Sequence, residues 1–182
     1  MLLKISVILF GYLCGCMNGA YYVGKIMAKE DIRGLGSTNA GARNAGRVFG
    51  KSAFIYTVII DALKTVIPLL VALYFFGENA LILGATAIAI LLGHAWPVQL
   101  QFRGGKGVVV YLATALILAP VGLIIVGLAV LIGLQIKKNF TIVGLVGLLT
   151  IPIYLLLTSM FKLSGIFFVM IVIVILLHRK GD

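Results

Sequence analysis

Apolar residues run through this chain in long unbroken stretches, and polar residues gather in the short segments between them. The stretches occupy about 5–27, 52–76, 79–97, 108–119, 121–136, 141–159 and 163–177. Most reach the roughly 20 residues that a helix needs to cross hydrocarbon. The pattern predicts an all-α integral membrane protein, a single domain over 1–182 without internal repeats. The first stretch is as long as a full span and no convincing cleavage site follows it, so it reads as a retained helix rather than a signal peptide. The fourth and fifth are short and separated only by Pro120. Proline can end a helix or bend it, so they read as two short spans or as one long kinked helix.

Charge separates those alternatives. With seven spans and the N-terminus outside, the inner segments carry twelve cations: Lys25, Lys29, Arg33, Arg43, Arg47, Lys51, Arg103, Lys106, Lys137, Lys138, Arg179 and Lys180. The outer segments then carry only Lys4 and Lys162. Fusing the fourth and fifth stretches gives nine inside against five outside. The bias of Lys and Arg toward the cytoplasm selects a compact bundle of seven transmembrane helices, N-terminus outside and C-terminus cytoplasmic. It also puts the polar motifs at one interface, with only Asp61 and Lys64 deep.

Composition reinforces the membrane class, with 62% hydrophobic residues and a mean hydropathy of +1.20. The net charge of +10 would suggest nucleic acid on a soluble chain. Here the cations sit between spans, where they suit topology and attraction to anionic lipid or anionic substrates, and no nucleic-acid motif accompanies them. Gly11, Gly15, Gly19, Ala20 and Gly24 recur at small-xxx-small spacing, which predicts close helix packing. Asn18 is expected to bond a neighbouring helix. Asp61 and Lys64 share one helical face. Each costs about 2.5–3.5 kcal/mol at a helix centre on insertion scales. The two read as an ion pair within the bundle, or Lys64 adds field to a nearby anion site. Cys14 and Cys16 have no further ligands in reach, so neither metal site nor disulfide is expected.

Three segments could carry chemistry. "DIRGLGSTNAGARNAGRVFG" (31–50) offers Ser37, Thr38, Asn39, Asn44, Arg43 and Arg47 among glycines. Glycine lets backbone N–H groups turn toward an anion, and arginine supplies a planar fork suited to phosphate. In "GHAWPVQLQFRGGKGV" (93–108), Gly104, Gly105, Lys106 and Gly107 stand just before an apolar helix. Its N-terminus would present free N–H groups and a favourable dipole. Leu100 and Gly107 depart from a Walker loop, so phosphate binding is indicated and nucleotide hydrolysis is not. His94 ends the preceding helix, and Gln99 five positions later excludes an HxxxxD acyltransferase motif. The third region joins Lys137, Lys138, Asn139 and Thr141 with His178 and Arg179. With five carboxylates in the chain, general bases are scarce. Such a site would work by positioning and charge stabilisation, without metal or cofactor.

These motifs, with "IIDALK" between them, resemble the bacterial acyl-phosphate:glycerol-3-phosphate acyltransferase family (PlsY type), over nearly the whole chain. The resemblance implies a seven-helix enzyme of the bacterial inner membrane with its active site on the cytoplasmic face. It would move a fatty acyl group from acyl phosphate to the sn-1 hydroxyl of glycerol 3-phosphate, giving lysophosphatidic acid for phospholipid synthesis. It leaves room for contact with the enzyme that supplies acyl phosphate. By position, it implies catalytic roles for Ser37, Arg47, Lys106 and His178. It implies substrate binding by Asn39, Asn44, His94, Gly104, Gly105, Gly107 and Thr141. Thr141 stands where the family usually has Ser, Arg43 where many members have Thr, and Gly181 where the family has Asn. Two other readings stand beside the enzyme: a transporter or channel for a phosphate-like anion, and a non-catalytic relative that binds acyl phosphate.

Overall fold

A computed structural model describes residues 1–136 and 139–179. It is all-helical, with no strand among the described residues. The helices are α1 (Leu2–Cys16), α2 (Gly19–Met27), α3 (Ala42–Phe49), α4 (Lys51–Phe76), α5 (Ala80–Ala95), α6 (Val108–Leu118), α7 (Pro120–Ile136), α8 (Phe140–Leu148), α9 (Thr150–Leu157) and α10 (Phe161–Arg179). Five segments among the described residues are long and apolar enough to cross a membrane: Leu2–Met27, Lys51–Phe76, Ala80–Leu100, Phe140–Leu157 and Phe161–Arg179. Helices α6 and α7 are apolar but shorter. Each predicted stretch therefore contains helix, though not always one helix.

The first stretch is broken at Met17–Asn18. The small residues along it explain what it packs against. A Cβ on Gly11 would lie 3.0 Å from Thr86 Cγ2, and one on Gly15 would lie 3.0 Å from Ile90 Cα. Both partners advance together, so α1 and α5 run parallel. Past the break, Gly19 faces α4, where a Cβ would lie 2.9 Å from the Thr57 carbonyl. Asn18 does not bond a neighbouring helix as expected. Its Oδ1 accepts from Tyr21 N at 2.9 Å, capping α2, and its Nδ2 donates to the Ala40 carbonyl at 2.9 Å. A break leaves bare N–H groups that an Asn at its start can satisfy.

At Ala119–Pro120 the chain turns back, so α6 and α7 are two helices rather than one kinked helix. The Tyr111 hydroxyl donates to the Leu148 carbonyl at 3.1 Å, and Gly147 lies under Val130, where a Cβ would be 2.7 Å from Cγ2. Tyr111 and Val130 therefore share one level, which a continuous helix would separate by about 28 Å. Tyr111 and Phe167 meet edge to face, centroids 5.3 Å apart, within an apolar core drawn from α4 through α10.

The level of the α5–α6 connection positions the site. Lys64 Nζ lies 2.8 Å from His94 Nδ1 at the end of α5. Lys64 is 13 residues into α4 from Lys51, or about 20 Å along it. The turn before α6 therefore lies at the level of the buried pair, with Ala40 of the 31–50 loop against Gly105. Helices α2 and α3 pack against the part of α4 that continues past it. With 11 residues, α6 rises only about 16 Å from that level.

Candidate active site

The segment before α3 is a loop shaped by its own polar side chains. Asp31 caps a short 3-10 turn by accepting from Arg33 N at 3.0 Å, and pairs with the Arg33 guanidinium at 2.7 Å. Hydrogen bonding from Arg33 holds the Asp31 carboxyl below its ordinary value, and the carboxylate in turn raises the guanidinium. Arg33 Nη1 also donates to the Leu100 carbonyl at 2.6 Å, which ties this loop to the 93–108 motif.

Asn44, on α3, organises the rest. Its Nδ2 donates to the Leu35 and Asn39 carbonyls at 2.9 and 3.1 Å, and its Oδ1 accepts from Ser37 N at 2.9 Å. The side chain is 2% exposed, so the amide predicted to bind substrate is committed to the loop backbone. It is a positioning residue in this structure. Around it the chain presents exposed Ser37 and Thr38 and half-buried Asn39. Gly36 has φ +58, a left-handed conformation that favours glycine. Arg43 and Arg47, one helical turn apart, are both exposed on α3.

In the second motif the turn glycines are tied back to α5, and the free N–H groups expected of it are left to the start of α6. Gly104 N donates to the Ala95 carbonyl and Gly105 N to the His94 carbonyl, each at 3.0 Å. These glycines shape the turn instead of offering their N–H groups to an anion. They are glycine because nothing larger fits: a Cβ on Gly104 would lie 2.7 Å from Pro97 Cδ, and one on Gly105 would lie 2.7 Å from the Ala40 carbonyl and collide with His94 Nε2. Gly107 caps α6 with φ +83. The first N–H groups of α6 follow, and the helix itself cannot satisfy those. Lys106, half-buried, stands just before them.

His94 lies below the turn, 3% exposed. Lys64 Nζ contacts its Nδ1, the Asp61 carboxylate at 2.8 Å and the Met17 carbonyl at 2.9 Å. Asp61 also accepts from Gly19 N at 3.1 Å. The predicted ion pair is present, and it joins both sides of the α1–α2 break to the end of α5.

The third region reaches the first through Arg43, whose Nη1 donates to Thr141 Oγ1 at 2.8 Å. Asn139 caps α8 by accepting from Thr141 N and Ile142 N. His178 Nδ1 donates to the Val174 carbonyl of its own helix at 2.7 Å. Nearby, Trp96, Ile173, Leu176, Leu177 and Arg179 line a shallow apolar cleft of about 430 Å³. Lys137, Lys138, Lys180 and Gly181 lie outside the described residues. Among the described residues, Arg47 and Lys106 have no carboxylate partner, whereas Asp31 and Asp61 are both paired with cations. The arrangement offers positive charge, hydroxyls and helix N–H groups to an anion.

Sequence reasoning missed Arg33, Tyr12 and Gln99 as positioning groups. Tyr12 donates to the Trp96 carbonyl at 3.0 Å, and Gln99 Nε2 to the Cys16 carbonyl at 2.5 Å. Gln99 stood in the quoted motif, but nothing in the sequence pointed it at the first helix.

Residues 5–181 match the family model described as glycerol-3-phosphate acyltransferase. Glycerol-3-phosphate acyltransferase 1 of Desulfitobacterium hafniense is 37% identical over 182 residues, covering 99% of this chain and 89% of that protein. The glycerol-3-phosphate acyltransferase of Vibrio campbellii is 38% identical over 161 residues, 88% of this chain and 77% of that one. A crystal structure of PlsY, an integral membrane glycerol 3-phosphate acyltransferase, in its glycerol 3-phosphate form superposes with a TM-score of 0.89 at 28% identity, covering 97% of this chain and 88% of that one. Its lysophosphatidic acid form gives 0.85 at 26% identity, with the same coverage.

Proposed function

This chain belongs to the glycerol-3-phosphate acyltransferase family and is a multi-pass membrane acyltransferase, and from that premise we propose how it works. The donor is an acyl phosphate, the acceptor is the sn-1 hydroxyl of glycerol 3-phosphate, and the product is lysophosphatidic acid. The protein lies in the bacterial inner membrane as seven spans, N-terminus outside, with its site on the cytoplasmic face. The supporting observation is convergence: Arg33 bonds Leu100, and Ala40 lies against Gly105, so the 31–50 loop and the 104–107 turn share one place.

Ser37, Asn39, Arg47, Lys106 and the first turn of α6 hold the donor phosphoryl group. The acyl chain extends into the bilayer. Thr141, held by Arg43, and His178 face the acceptor. The hydroxyl oxygen attacks the acyl carbonyl carbon, and a new C–O bond forms. The bond from acyl carbon to phosphate oxygen breaks, and inorganic phosphate leaves. The hydroxyl proton passes to the acceptor's own phosphate group, because the carboxylates nearby are held in ion pairs. Lys106 and Arg47 stabilise charge on the departing phosphate.

The anion-transport reading loses its footing at the α1–α2 break. Transporter breaks leave backbone groups for their ions. Here the Met17 carbonyl accepts from Lys64, the Cys16 carbonyl accepts from Gln99, and Gly19 N–H donates to Asp61. Purified protein given acyl phosphate and glycerol 3-phosphate is expected to make lysophosphatidate. No product, beside a working family member, would sink the proposal.

A further inference from the structure

Resting on the phosphoryl site proposed above, we infer that His94 is a neutral Nε2–H donor aimed at the anion turn, and that Lys64 and Asp61 are positioning residues that fix its tautomer. An ammonium group has three N–H donors and no acceptor. Lys64 Nζ has three acceptors around it: the Met17 carbonyl at 2.9 Å, Asp61 Oδ1 at 2.8 Å and His94 Nδ1 at 2.8 Å. Lys64 therefore donates to His94, and Nδ1 must be the ring's acceptor. A neutral imidazole with an accepting Nδ1 carries its proton on Nε2. That nitrogen faces Gly105, where any Cβ would overlap it. No hydrogen bond to it is found among the described residues. Because Thr57 Oγ1 is the one buried side-chain atom left without a partner among them, Nε2 is not sealed in but opens at the turn, in a residue 3% exposed overall. An N–H that opens at the turn and has no protein acceptor can donate to an anion seated there. Asp61 completes the device: it holds Lys64 as an ammonium and is anchored by Gly19 N.

The chain has two histidines, so ring-15N NMR of histidine-labelled protein resolves His94 directly, with His94→Gln identifying its signals. The native protein is expected to show His94 as the Nε2–H tautomer, and titrated inorganic phosphate is expected to move its Nε2 signal. Lys64→Met is expected to release the tautomer to a mixture. It should also raise KM for acyl phosphate about tenfold while changing KM for glycerol 3-phosphate less than twofold. His94→Gln, whose amide can place an N–H near Nε2, should keep several times more activity than His94→Asn. A native Nδ1–H tautomer would overturn the inference, as would an unchanged tautomer in folded Lys64→Met. If Lys64→Met does not fold, the native tautomer and the Gln-against-Asn order decide. The NMR readout needs no acyl transfer, so it separates failure of this inference from failure of the proposed reaction.

Discussion

The chain up to Gly107 and the chain after it live in the same membrane and are held together differently. Of the ten buried polar or charged side chains among the described residues, Asn18, Asn44, Thr57, Asp61, Lys64, Thr65, Thr86 and His94 lie in the first part, and Thr114 and Ser164 in the second. The first part is stitched by side chains reaching backbone far away in sequence, such as Arg33 to Leu100 and Lys64 to Met17. The second packs apolar surfaces around Tyr111 and Phe167. In lipid, apolar packing does not say which surface must meet which, because hydrocarbon is as good a neighbour as leucine. Directed hydrogen bonds do say it. The part that carries the proposed anion site uses them.

The sharpest break of this contrast is at Asp61. Asp61→Ala leaves Lys64 buried and unpaired and is expected to destabilise by about 3–5 kcal/mol. Asp61→Leu with Lys64→Met should cost much less, because no charge is left behind. Thermal unfolding in a fixed detergent compares them, and equal losses would show that the pair acts only through volume. In the second part the order should reverse between polar and apolar deletions. Phe167→Ala is expected to cost about 3–5 kcal/mol. Tyr111→Phe, which removes one hydroxyl bond, should cost about 0.5–1.5 kcal/mol.

Gly105→Ala sits at the boundary between the two parts. It forces a methyl into His94, for about 1–3 kcal/mol of strain. Acyl transfer should fall at least tenfold while the midpoint of unfolding moves only a few degrees; full activity would mean the turn can shift freely. The smallest effect belongs to Asp31. Its carboxyl is lowered in the folded loop, chiefly by hydrogen bonding from Arg33. The ion pair's contribution is therefore complete above the ordinary carboxylate range near pH ~4 and is lost as pH falls through the lowered folded value. Protection factors of the Arg33 and Gly34 amides, corrected for the intrinsic pH dependence of exchange, should fall modestly on acidification, and Asp31→Asn should flatten that dependence.

Hydropathy made the spans legible, because a membrane demands length and apolarity and little else. It could not show the breaks at Met17 and Leu149, where apolar composition continues while the backbone stops. The ion pair was legible from the cost of Asp61 and Lys64 in lipid; its third member, His94, was not, because that contact joins residues 30 apart. Ser37 and Lys106 could be picked from motif chemistry. The committed roles of Asn44, Gly104 and Gly105 could not, since sequence does not reveal that an amide's partners are its own loop.

The break in the first span has a consequence for the order in which the protein can be made. Its Met17 and Cys16 carbonyls find their donors in Lys64 and Gln99, 47 and 83 residues later. A bare carbonyl in hydrocarbon is costly. When the first span enters the membrane, before those donors have been synthesised, an unbroken helix is the cheaper form. The break would then open in place as α4 and the segment after α5 arrive. On that order the first span would give up its regularity as Gln99 arrives, and a chain stalled before residue 99 would keep an unbroken anchor.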